Sequence, residues 1–196
     1  MKILVTRKLL DKDLTYIRTG LDKRIAGKYD FLIPDAYNEE SLLNLCSEAD
    51  IFLGPFVSKS LLGHAKKLKL IQVPWTGMDT FDFNAVKDSN VVVCNTHTNA
   101  DSVAEIGLAL SLDLIKKVSY HDRKMRIGNW NRDETPLSLK SGMIHGSSVC
   151  ILGCGNIGYR VAKLFHAFDA HISCVDDFRK RDEIVEIAYS SLELKE

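Results

Sequence analysis

Five short apolar runs recur through the first hundred residues: Ile3-Leu4-Val5, Phe31-Leu32-Ile33, Ile51-Phe52-Leu53, Leu70-Ile71-Gln72-Val73 and Val91-Val92-Val93. Each is too short for a helix and is bounded by polar residues, which predicts buried strands. Between them the pattern turns helical, over 13–19, 39–47, 59–65 and 81–87. Asn38 precedes Glu39-Glu40 and Ser58 precedes Lys59. Both side chains can accept the first free N–H groups of a helix, so both are candidate N-caps. Alternating strands and helices imply right-handed crossovers and a mostly parallel sheet covered on both faces. Residues 1–97 therefore read as one small α/β domain of flavodoxin-like type.

The longest helical pattern follows, over 101–126, with Val103, Ile106, Gly107, Leu110, Leu114, Ile115 and Val118 at spacings of three and four. It is more apolar than one core face requires, which suggests burial on a second side, against another subunit among other possibilities. Gly128, Pro136, Gly142 and Gly146 then punctuate a polar loop, and a new α/β pattern starts near Ser147.

That second pattern carries the most informative stretch. Val149-Cys150-Ile151-Leu152 reads as a buried strand, Gly153-Cys154-Gly155-Asn156-Ile157-Gly158 fits G-x-G-x-x-G, and 159–168 reads as an amphipathic helix. A second apolar strand, 170–175, ends at Asp176, 18 residues beyond Gly158. Strand, glycine turn, helix, strand and terminal acid form a βαβ dinucleotide-binding fingerprint. Gly153 is placed for the tight turn, Gly155 for close approach of the backbone to a pyrophosphate, and Gly158 for close packing of helix on strand. The N–H groups that open the helix suit the negative charge of the pyrophosphate. The second domain, 98–196, thus reads as the long helix followed by a Rossmann, doubly wound, dinucleotide-binding domain. Only 20 residues follow Asp176, too few for the rest of such a sheet, so a C-terminally truncated chain is expected.

Composition narrows the classes. The 196 residues are 45% apolar and 27% charged, and 26 Lys+Arg balance 26 Asp+Glu. No global field favours nucleic acid or an anionic membrane. The run Arg179-Lys180-Arg181 is followed by Asp182-Glu183 and reads as a solvated turn. No apolar run reaches membrane-spanning length, and the Met1 end reads as a strand, not a signal peptide. Five cysteines (46, 94, 150, 154 and 174) lack C-x-x-C spacing and mostly fall in apolar strands. They read as buried, reduced thiols of a cytoplasmic protein. Cys150 and Cys174 are expected on neighbouring strands without forming a disulfide or a metal pair.

Three further segments join the glycine motif. Gln72-Val73-Pro74-Trp75-Thr76-Gly77-Met78-Asp79 is similar to a substrate loop that commonly reads A/T-G-V-D. The stretch from Cys94 to Glu105, with Asn99-Ala100 and Val103-Ala104-Glu105, is similar to a hinge and helix start ending N-A-x-x-V-A-E. Arg126-Ile127-Gly128-Asn129-Trp130 matches R-x-G-x-W. In this order and spacing they resemble the D-isomer-specific 2-hydroxyacid dehydrogenases, a family that includes D-3-phosphoglycerate dehydrogenases. Thr98 and Met78 depart from the usual Gly and Val.

The resemblance implies a two-domain NAD-dependent oxidoreductase with its active site between domains. It would move hydride between the nicotinamide and a small 2-hydroxy or 2-keto acid. It assigns the substrate carboxylate to the backbone of Thr76, Gly77 and Met78; alone, that stretch would pass as an ordinary turn after the fourth strand. Thr76 also matches a position that touches cofactor. Gly153, Gly155, Asn156, Ile157 and Gly158 would hold the pyrophosphate and Asp176 the adenosine ribose. The 101–126 helix matches the family's main contact in a homodimer.

The family's catalytic Arg, its acidic residue and its acid–base His would all fall beyond Glu196, so no catalytic residue is assigned. His97 lies nearest the expected hinge but does not match the family's acid. His64, His121, His145, His166 and His171 sit where packing or surface roles suffice. No metal set, nucleophile elbow or Walker-type loop is present in the sequence. The alternative to the enzyme is a non-catalytic NAD-binding regulatory or interaction module. By either reading, residues 1–196 alone are expected to be inactive.

Overall fold

Ile3 and Val5 point to one face of the first strand and Leu4 to the other, and all three are buried. This period-two alternation of a wholly apolar run is what a strand covered on both faces requires. A computed structural model describes residues 1–25, 27–130 and 140–195. Pro136, read above as loop punctuation, lies outside the described residues.

The chain divides into two compact units, Met1–Thr98 and Asn99–Glu196. The first runs β1 (Lys2–Val5), α1 (Asp11–Ile25), β2 (Asp30–Leu32), α2 (Glu39–Cys46), β3 (Ile51–Leu53), α3 (Lys59–His64), β4 (Leu70–Gln72), α4 (Phe83–Val86) and β5 (Val92–Cys94). The five strands are parallel in the order β2-β1-β3-β4-β5. Leu4, Leu42, Phe52, Leu61, Ile71 and Val73 fill one side of the sheet. Ile3, Val5, Tyr29 and Leu53 fill the other, with Leu14, Ile17 and Leu21 of α1 against them. Asn38 accepts from the Ser41 N–H at 2.9 Å and Ser58 from the Leu61 N–H at 3.1 Å, so both expected caps form. Helix α1 runs beyond the expected 13–19. Acidic Asp11 and Asp13 open it and basic Lys23 and Arg24 close it, in the sense the helix dipole favours.

The second unit runs α5 (Ala100–Lys116), α6 (Val118–Arg126), β6 (Ser148–Leu152), α7 (Asn156–His166), β7 (His171–Val175), β8 (Ile187–Tyr189) and a closing 3-10 turn, Ser191–Lys195. Its strands are parallel in the order β6-β7-β8. Leu108, Leu112 and Ile115 of α5 pack onto a core of Ile144, Ile151, Ala162, Phe165, Ile172, Cys174 and Val185.

Two expectations are corrected. The single helix over 101–126 is two helices, because Lys117 adopts a left-handed conformation, φ 58°. The break is held from both sides. The Asp113 carboxylate accepts the Ser119 N–H at 2.6 Å and its hydroxyl at 2.8 Å, capping α6. Ser141 Oγ and the Gly142 N–H donate to the carbonyls of Lys116 and Ile115, closing α5. The cysteines are also less uniform than expected. Cys46 lies in α2 and Cys154 in the loop after β6, both buried, whereas Cys150 on β6 is exposed. Period-two alternation puts it with exposed Leu152 on the face of β6 opposite the core residue Ile151.

Candidate functional site: a glycine loop closed by an aspartate

Strand β6 continues into the loop without losing its ladder, since the Gly153 N–H donates to the Val175 carbonyl at 2.9 Å. Gly153 then turns at φ +85°, a conformation in which a Cβ is strained. Gly155 takes the N-cap position of α7, and no side chain caps that end. A Cβ on Gly155 would meet nothing within 4 Å, so the space before the loop is open. A Cβ on Gly158 would strike the Gly153 carbonyl and approach Ile151 Cγ2 to 3.2 Å. The three glycines thus have three separate reasons: a positive φ, an open approach, and direct packing of helix on loop.

Asp176 closes this loop. Its Oδ2 accepts the Cys154 N–H at 2.8 Å, and its Oδ1 accepts the N–H groups of Phe178 and Arg179, each at 2.9 Å. Those backbone donors, the Phe178 N–H first, hold the carboxyl below the usual carboxylate range. Arg179 completes the clasp. Its Nε donates to the Cys154 carbonyl at 3.1 Å while its guanidinium lies 4.0 Å from the Tyr159 ring centroid. The Tyr159 hydroxyl donates to Asp182 at 2.8 Å, and this bond leads in pushing the phenol pKa up. Beneath the loop, burial pushes the Cys174 thiol up to about 11, with the Cys154 thiol beside it adding to the rise. Sequence reading anticipated Asp176 but missed the Arg179–Tyr159–Asp182 group. Only the Asx-type spacing of Asp176 to Phe178 and Arg179 could have hinted at it.

The structure therefore gathers Gly153, Gly155, Asn156, Ile157, Gly158 and Asp176 about one loop. These residues fit a dinucleotide: an uncapped helix N-terminus behind an open glycine suits a pyrophosphate, and a carboxylate stands at the end of the next strand.

Thr76, Gly77 and Met78 follow β4 in the first unit. Thr76 Oγ1 donates to the Thr96 carbonyl at 2.9 Å, and Asn95 Nδ2 donates to the Thr76 carbonyl at 2.7 Å, so the loop is tied to the residues after β5. Gly77 is exposed, Met78 packs against the core, and the Asp79 carboxylate lies beside Gly77, 3.4 Å from where a Cβ would stand.

Two histidines of the second unit pair with carboxylates, His145 with Asp169 at 3.2 Å and His171 with Glu186 at 3.0 Å. Both pairs are exposed and lie toward the amino ends of β6 and β7, opposite the glycine loop. Among the described residues, no group of three or more His, Cys, Asp and Glu could hold a metal ion, and no helix is long and apolar enough to cross a membrane.

Residues 108–196 match the family model for the D-isomer specific 2-hydroxyacid dehydrogenase NAD binding domain. The chain is 30% identical over 201 residues to a glyoxylate reductase of Aeropyrum pernix, covering 98% of this chain and 58% of that protein. It is 26% identical to a D-3-phosphoglycerate dehydrogenase of Archaeoglobus fulgidus, covering 95% of this chain and 34% of the relative. The chain thus spans little more than half, or less, of the curated relatives it matches. In fold it is similar to an NAD-complexed D-isomer specific 2-hydroxyacid dehydrogenase from Lactobacillus delbrueckii ssp. bulgaricus. There the TM-score is 0.73 at 20% identity, over 97% of this chain and 58% of that one. The glycine loop built for a dinucleotide thus lies within the residues that match the NAD binding domain of the D-isomer specific 2-hydroxyacid dehydrogenases, and the second unit is similar to that domain.

Proposed function

We propose that this chain contributes to NAD-dependent hydride transfer between the nicotinamide and a small 2-hydroxy or 2-oxo acid. The observation that carries the proposal is the loop in which Gly158 packs on Gly153 while Asp176 holds Cys154. The N–H groups at Asn156, Ile157 and Gly158, with Gly153 and Gly155 leaving room, face the pyrophosphate. Asp176 accepts from the ribose 2′-OH, and Thr76 touches the cofactor. When bound, NAD supplies the hydride acceptor or donor. The chain's part is to hold it, and to hold the acid carboxylate on the backbone of Thr76, Gly77 and Met78, where a glycine turn offers N–H donors without bulk.

The first unit is read as the substrate-binding domain and the second as the cofactor domain. The strand order β2-β1-β3-β4-β5 supports a flavodoxin-like class for the first. The exposed apolar stripe Val103, Ile106, Leu110, Leu114 and Val118 supports a homodimer through α5 and the start of α6. The test is titration of the ¹⁵N-labelled chain with NADH. Saturable amide shifts at 153–158 and 176–179 are expected, and a titration that moves none of them overturns the cofactor reading.

A further inference from the structure

The order β2-β1-β3-β4-β5 puts the reversal of strand order between β1 and β3. In open parallel sheets, ligands bind outside the carboxyl ends of the strands at that reversal. Arg7 stands there, on the loop leaving β1. The residues beside it are held by the ladder: the Thr6 N–H donates to the Leu53 carbonyl and the Gly54 N–H to the Gln72 carbonyl, both at 2.9 Å. Gly54 has φ +132°, and a Cβ on it would come within 2.6 Å of Thr6 Oγ1 and 3.1 Å of the Arg7 nitrogen. The loops after β1 and β3 are therefore pressed together. The Thr6 hydroxyl between them is 2% exposed and has no hydrogen-bond partner among the described residues.

The Arg7 guanidinium carbon lies 4.8 Å from the Trp75 ring centroid. The side chain is otherwise exposed, and among the described residues no carboxylate pairs with it. A guanidinium held over an indole keeps N–H edges for a planar anion, which it can bind in two-pronged fashion. Trp75 is also the residue before Thr76-Gly77-Met78, so one indole joins the cation to the proposed carboxylate cradle. The cradle offers neutral amides with Asp79 beside them. It has no positive charge of its own for a second anionic group, and Arg7 supplies one.

We infer that Arg7, held on Trp75, is a specificity residue that binds a second anionic group of the substrate, a carboxylate or a phosphate, so that 2-hydroxy acids with two anionic groups are preferred. This rests on the reading of Thr76, Gly77 and Met78 as the site of the first carboxylate. A charge-assisted bond to guanidinium is worth about tenfold or more in affinity.

The test follows the Trp75 indole N–H and the amides of 76–78 in the ¹⁵N-labelled chain. D-malate is compared with D-lactate, and 3-phospho-D-glycerate with D-glycerate, in the parent chain, in Arg7→Gln and in Arg7→Lys. An acid with two anionic groups binding at least about tenfold tighter than its parent acid is expected in one or both pairs, and the larger ratio identifies carboxylate or phosphate. Arg7→Gln should bring that acid down to the affinity of its monoanionic parent, and Arg7→Lys should recover part of the ratio. Ratios below threefold in both pairs, or a preference that survives in Arg7→Gln, overturn the inference and leave the cradle standing. No shift at 76–78 with any of the four acids overturns the cradle and the inference together.

Discussion

The carboxylate of Asp176 accepts the backbone N–H of Cys154 at 2.8 Å, so the acid at the end of β7 grips the middle of the glycine loop. The residue read as a ribose ligand is thus also a fastener. Replacing it should act on loop geometry and cofactor affinity together.

Asp176→Ala is therefore expected to weaken NAD binding by about tenfold or more, the scale of a lost charge-assisted hydrogen bond. The parent chain should bind NAD more tightly than NADP, since Asp176 and Asp177 would meet a 2′-phosphate with like charge. Calorimetric titration with both cofactors checks this. Tighter NADP binding, or unchanged NAD affinity in the variant, contradicts it. The pH dependence follows from the lowered carboxyl pKa. The folded value lies below the unfolded one, so the stabilisation is fully present above the unfolded pKa. It is lost as pH falls through the folded value.

Gly158→Ala should destabilise the second unit by about 1–3 kcal/mol, because the added methyl meets a backbone carbonyl that cannot move aside cheaply. Urea unfolding followed by Tyr and Trp fluorescence measures it. Gly155→Ala, with open space before it, should leave stability nearly unchanged while impairing NADH binding. Equal stability losses in the two variants would show that the glycines do not differ in role.

Leu110 and Leu114 are 66% and 67% exposed on α5. If this stripe is the dimer face, a lysine at either position buries an unpaired charge and should raise the dimer dissociation constant by more than about tenfold. Sedimentation velocity over a range of concentrations is the measurement. A monomeric parent chain, or a dimer indifferent to both substitutions, removes the assignment.

Residues 1–196 assayed alone with NADH and pyruvate, glyoxylate, hydroxypyruvate or 2-ketoglutarate should show no turnover above background. The His–carboxylate pairs of the second unit face away from the glycine loop. Turnover that survives repurification and disappears in His97→Ala would assign the acid to the hinge histidine instead.

Thiol labelling should separate the cysteines. Cys150 is exposed, whereas Cys174 is buried with its pKa pushed up to about 11, so little of its thiolate exists at pH 8. Iodoacetamide followed by peptide mass mapping should modify Cys150 first, at a rate at least about tenfold above Cys174. Comparable rates would mean that the core beneath the loop opens readily.

The features legible in the sequence are those decided within a few residues. Asn38 and Ser58 cap helices because their side chains reach N–H groups three residues on, and the glycine motif is legible because Gly153 has a positive φ and a side chain on Gly158 would meet the Gly153 carbonyl. The apolar runs marked β1 to β7 to within a residue or so, since a short apolar run bounded by turn residues needs no distant partner to be recognised, whereas β8 was not among them. Tertiary structure alone decided the rest. The helix over 101–126 breaks at Lys117 because Ser141 and Gly142, some 25 residues away, take up the carbonyls that a continuous helix would use. Arg179 reaches Cys154 and Tyr159, and Arg7 reaches Trp75, across separations that no local pattern encodes. Such pairings depend on which loops the parallel sheets bring side by side at their carboxyl ends, and that follows from strand order, which is settled only when the whole chain has packed.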